Sequence, residues 1–311
     1  MNPAFSVVVF TTAAGAAQGL VVALAIALLA GVPMAASFVR TSLLVAIVLL
    51  VAGLASSLLH LGRPARAWRA ATMWRTSWLS REVIVLPAFI ALVMLWWLTA
   101  RTPGSAPARL ALPLAAIAVA ALLWYCTAMI YACLRFIEEW AQSLTIVNFF
   151  LLGLSSGSVL ASALAALAGE QRALVIAAPT ALVVTLVAWA SRTAAWRRNA
   201  VLRHRSTLQT ATGIRSARLA QTSMGMSAGS FNTREFFHRA SAAALRRIKA
   251  IAVVLGFALP AILMAGVAAG LLADLACVVA LLLQVPGLIA DRWLFFAQAK
   301  HPQNLYYQVV S

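Results

Sequence analysis

Eight apolar stretches, near residues 6–31, 41–61, 82–100, 110–134, 145–168, 173–191, 249–270 and 273–293, dominate the chain and leave few choices of fold. Each is long enough to cross a hydrocarbon core of roughly 30 Å. Within lipid a backbone must satisfy its own hydrogen bonds, and segments of this length do so as helices. The expected fold is therefore all-α: a polytopic membrane bundle of eight transmembrane helices, read as one integral domain over residues 1–311 with one long basic loop at about 192–248. The first stretch has no basic residue before it and exceeds a signal-peptide core in length, so it should stay as a crossing.

Charge gives the orientation. If all eight stretches cross, the loops after even-numbered crossings share a side with both termini, and that side holds 20 of the 24 Lys and Arg residues. The other side keeps only Arg40, Arg101, Arg109 and Arg172. Basic residues accumulate in cytoplasmic loops, so both termini and the large basic loops are expected in the cytoplasm of a bacterial inner membrane. A net charge of +17 in these positions points to topology, anionic lipid or a protein partner, and away from nucleic acid.

Short loops make consecutive crossings antiparallel neighbours. Small residues four apart, Gly15 with Gly19, Gly153 with Gly157 and Gly266 with Gly270, favour close helix contact. Pro87, Pro260 and Pro286 fall within crossings and can kink them. Gly270 and Asp274 mark the turn between the last two. No inverted repeat is visible, so a transporter built from two halves has no support. Cys126, Cys133 and Cys277 lie in apolar segments without a C-x-x-C pair, which argues against an iron–sulfur cluster or structural zinc in this chain.

Polar residues at membrane boundaries are few and costly, hence informative. His60 closes the second crossing and Glu82 opens the third, both on the basic side. They flank a loop carrying Trp68, Trp74 and Trp78 among its arginines, an arrangement suited to a membrane interface. A histidine and a carboxylate partly withdrawn from water can together exchange the protons that accompany quinone reduction. This makes His60 and Glu82 a candidate quinone/quinol site, with Arg63, Arg81 and Trp78 as supporting residues. The alternative is structural: His60 caps a helix while Glu82 pairs with Arg81 or Arg63. Glu138 and Glu139, beside Arg135, Trp140 and Gln142, are expected to pair with arginines of neighbouring loops, with a role in proton uptake as the alternative. Gln18 and Gln284 are expected to bond between helices. Of the four histidines only His60 borders the bilayer, so an intramembrane bis-histidine haem is not expected, and no catalytic metal site is evident.

The long loop carries Phe231, Asn232, Arg234, Glu235 and Phe236. Aromatic and arginine side chains together suit a protein docking surface; a lipid-facing amphipathic segment is the alternative.

Taken in order, several blocks resemble the dimethyl sulfoxide reductase anchor-subunit family. They are Asn2–Ser6 leading to Gly15–Gly19, His60–Pro64 through Leu79–Glu82, Ser230–Phe237, and Asp291–Phe296 to Leu305–Tyr307. The resemblance implies an eight-helix subunit without haem. It would hold a molybdopterin catalytic subunit and a four-cluster iron–sulfur subunit at the membrane and exchange electrons with the quinone pool, itself catalysing nothing alone. Quinol-binding roles would pass to His60 and Glu82. Some members serve reductases of sulfoxides and N-oxides, oxidising menaquinol; others resemble the anchor of a cytoplasmic sulfite-oxidising enzyme. The charge asymmetry favours the latter. A passive tether or a transporter is the competing class, and the scarcity of mid-membrane polar residues disfavours the transporter.

Overall fold

The computed structural model describes residues 1–59, 61–100, 106–223, 233, 235–238 and 240–307. Among the described residues eight helices are long and apolar enough to cross a membrane: α1 (Phe5–Leu29), α2 (Ala36–Leu58), α3 (Trp78–Thr99), α4 (Ala106–Ala132), α5 (Ser143–Ala168), α6 (Gln171–Ala200), α7 (Ala242–Ala268) and α8 (Ala276–Ala297). The protein is a polytopic all-α bundle, as its apolar lengths require.

Successive helices pack against one another throughout, and α1 and α5, the two most buried, form the centre. On one flank lie α2, α3 and α4; on the other lie α6, α7 and α8. The central pair meets at its glycines. A Cβ on Gly19 would overlap the Gly153 carbonyl, and one on Gly157 would overlap the Gly19 backbone. Two of the expected small-residue pairs therefore belong to one helix seam. The third does not: Gly270 takes a left-handed φ of 68° in the α7–α8 turn, and Gly266 faces the Leu272 side chain. At that turn Gln171 donates to Asp274.

Helix α7 widens into a π turn over Val254–Ala258, immediately before Pro260. Proline has no N–H to offer the carbonyl one turn back, and the widened turn absorbs that loss. There Gly256 lies against Gly287 of α8, with no room for a side chain on Gly287.

Two boundaries depart from the sequence expectation. Helix α6 continues to Ala200, so Arg192, Arg197 and Arg198 are helical, and α7 begins at Ala242. The long loop shrinks at both ends because these amphipathic extensions carry their arginines at the basic face. Cations in the last turn of α6 also oppose the negative end of its dipole. The described part of the loop includes one short helical turn, Leu208–Thr212, closed by a Thr207–Thr210 capping box.

Candidate functional site

Between α2 and α3 the chain runs through a 3-10 helix, Pro64–Met73, that lies across the basic end of the bundle. Ser77 then caps α3 by accepting from the Ser80 N–H. This start, a few residues before Glu82, turns the Glu82 carboxyl inward. Glu82 is 5 % exposed, and its carboxylate accepts a hydrogen bond from the Thr127 hydroxyl of α4.

Arg81 points elsewhere. Its guanidinium donates to the carbonyls of Trp74 (2.9 Å) and Arg75 (2.9 Å) and lies 4.0 Å from the Trp78 ring centroid. Trp78 in turn meets Tyr125 edge-on at 5.3 Å. Arg81 and Trp78 thus brace the loop rather than neutralise the acid. Among the described residues Glu82 forms no ion pair, so the expectation of a structural pair with Arg81 or Arg63 is not met.

Glu82 lines a cavity of about 580 Å³ under the 3-10 helix. The wall is mostly apolar, from Phe10, Leu54, Leu58, Leu86 and Tyr131, with Arg63, Arg66 and Trp68 at the loop side. A cavity of this size falls within the range of about 300–1,000 Å³ that suits small organic ligands. It offers an apolar slot with one buried carboxylate and two cations near its mouth. His60 lies outside the described residues; its chain neighbour Leu61 lines the cavity.

The residues expected to form a docking surface divide. Phe231, Asn232 and Arg234 lie outside the described residues. The Glu235 carbonyl accepts from the Asn2 N–H at 2.8 Å while its side chain is exposed. Phe236 stacks on His301 at 4.2 Å, and its carbonyl accepts from Asn304. Burial holds the His301 imidazole below its ordinary pKa. This segment therefore knits the two ends of the chain together on the basic face.

Other expectations are corrected in detail. Glu138 accepts from the Arg205 backbone N–H at 2.7 Å, and its own carbonyl takes the Arg198 guanidinium at 2.6 Å. Glu139 pairs with His204 at 3.5 Å, not with an arginine. Gln284 does bond between helices, to Ser155, which in turn meets Thr185 of α6. Gln18 instead donates within its own helix to the Ala14 carbonyl.

Sequence reasoning missed the buried ion pair Arg192–Asp291, at 2.6 Å, and the adjacent Arg292, 4.0 Å from the Phe149 ring centroid. A signal was present: Trp189 and Trp196 continue the α6 pattern past the end of the apolar stretch, placing Arg192 inside a helix.

Residues 1–305 match the family described as DMSO reductase anchor subunit (DmsC). The chain belongs to that anchor-subunit family. It is also 46 % identical over 327 aligned positions, covering all of both chains, to a sulfite dehydrogenase subunit of Allochromatium vinosum. Among the described residues no group of three or more His, Cys, Asp and Glu side chains is placed to hold a metal ion.

Proposed function

We propose that this chain is the membrane-anchor and quinone/quinol-reactive subunit of a molybdopterin oxidoreductase, in a cytoplasm-facing sulfite-oxidising complex. The observation that carries the reading is the apolar cavity with Glu82 in its wall, bonded to Thr127 rather than to a cation. Family membership supports the anchor role, and the similarity to a sulfite dehydrogenase subunit supports the choice of complex.

A quinone bound there would supply two-electron, two-proton redox chemistry. Glu82 would hold a proton within reach of one ring oxygen, and Thr127 would fix the carboxyl's orientation. Arg63 and Arg66 sit where the cavity meets the loop and would favour a developing negative charge on oxygen. Phe10, Leu54 and Leu86 would exclude water and grip an isoprenoid tail. His60 would serve the other oxygen, as the family resemblance implies. Electrons would come from a docked iron–sulfur subunit fed by a molybdopterin subunit on the basic face. The concentration of 20 of 24 Lys and Arg on that face supports a cytoplasmic placement.

Glu82→Gln in the assembled complex tests the site. Quinone-coupled turnover, normalised to dye-linked turnover of the catalytic partner, should fall roughly 100-fold, the scale of a lost general acid–base group. Full quinone-coupled turnover in this variant would reject the site and leave only a tether.

A further inference from the structure

Behind Glu82 the bundle is polar across its width at a single depth. Glu82, Thr127, Thr11, Asn148, Arg192, Asp291 and Arg292 all lie within about two helical turns of the basic-face ends of their helices. Three small separate cavities, each of about 10 Å³, are bordered by all of these except Glu82, each close to the room that one water molecule needs. One is bordered by Thr127, Gln18, Thr11 and Arg292. Another is bordered by Arg292, Asp291, Arg192, Asn148 and Glu139. Arg292 borders all three.

The side chains around these spaces are incompletely bonded. Gln18 Oε1, both amide atoms of Asn148, Arg192 Nη2, Asp291 Oδ2 and Glu139 Oε2 are buried and make no hydrogen bond to any described residue. Gln18, Asn148, Glu139, Arg192 and Asp291 are each at most 5 % exposed. Buried polar atoms of this kind are normally completed by water. The row has two ends. At one, Thr127 bonds to Glu82 on the large cavity. At the other, Glu139 meets His204, which is only half-buried on the basic face.

We propose that this layer is a proton path in which cavity water links His204 and Glu139, past Asp291, Asn148 and Arg292, to Thr127 and Glu82. It rests on the quinone reading of the large cavity. Each quinone reduced takes two electrons from the docked partner and two protons. For each proton delivered by this path, Glu82 gives one to a quinone oxygen and recovers one through the Thr127 hydroxyl. One proton enters from water at His204 to replace it. Carboxylates, imidazole, hydroxyl and water can all pass protons along such a row. The guanidiniums do not release theirs; Arg192 is offset by Asp291, and Arg292 orients the water beside it. Uptake and delivery lie at the same face, so the path itself moves no charge across the membrane.

Glu139→Gln and Thr127→Val in the intact complex test the path from its two ends, with Glu139→Asp as the conservative control. Glu139→Gln should lower quinone-coupled turnover roughly tenfold or more, leave KM for a short-chain quinone within about twofold, and recover when millimolar azide or formate supplies protons. Glu139→Asp should retain most of the rate, and Thr127→Val should show a loss like that of Glu139→Gln. Unchanged turnover in both Glu139→Gln and Thr127→Val, or losses that neither small acid restores, would overturn the path. Full turnover in Glu82→Gln would instead remove the quinone site itself, so the two failures are distinct.

Discussion

The α1–α5 seam and the α2–α3 gap sit on either side of the same helix, α1, and are built on opposite plans. At the seam, glycine backbones touch and no Cβ fits at Gly19 or Gly157. At the gap, Phe10 of α1 and Leu54 of α2 face α3 across a cavity of about 580 Å³. Lipid tails give no hydrophobic drive to helix association, so close packing must hold the bundle. The seam supplies that packing, which lets the neighbouring gap stay open beneath the Pro64–Met73 helix. One region is fixed by having no side chains, the other is shaped by many that do not meet.

The contrast breaks most severely at the seam. Gly157→Leu forces a side chain into the Gly19 backbone, an overpacking cost of about 3 kcal/mol or more. The complex should fail to accumulate in membranes, as read by immunoblot of solubilised protein. Gly62→Ala, at a position with nothing within 4 Å, should accumulate normally. A smaller effect sharpens the other side. Val83→Trp places an indole in the cavity and should lower quinone-coupled kcat/KM about tenfold, equivalent to about 1.4 kcal/mol. Accumulation should hold, because the added volume enters open space.

The smallest effect lies outside the membrane. His301 stacks on Phe236, and burial lowers its pKa from the ordinary 6.5. A lowered histidine pKa means that docking of this segment favours the neutral ring. The contribution is complete above the ordinary value and is lost as pH falls through the depressed one. The protection factors of residues 235–238 against amide exchange, corrected for the intrinsic pH dependence of exchange, should therefore be lower at about pH 5 than at about pH 7.5, and this difference should vanish in His301→Phe.

The crossings were legible because apolar length alone dictates them, and all eight appear. Glu82 was legible for a related reason: a lone acid at the start of an apolar helix has no cheap place to go. Its partner was not legible, since Thr127 lies 45 residues away and one threonine in an apolar helix carries no signal. The charge of Arg192 ends the apolar window and so suggests a loop there, although the helix runs on to Ala200. Its pairing with Asp291, 99 residues distant, depends on how α6 and α8 meet. The glycine pairs announced close contact, but only packing showed that two of them face each other. His60 and the candidate docking residues Phe231, Asn232 and Arg234 fall outside the described residues.

Photolabelling the assembled complex with an azidoquinone tests the central claim most directly. The label should map to the walls of the α2–α3 cavity, at Leu54–Leu58, Arg63–Ala70 or Leu79–Pro87, and natural quinone should compete it away. Competable labelling confined to other helices or to a partner protein, with these segments unmarked, would contradict the account.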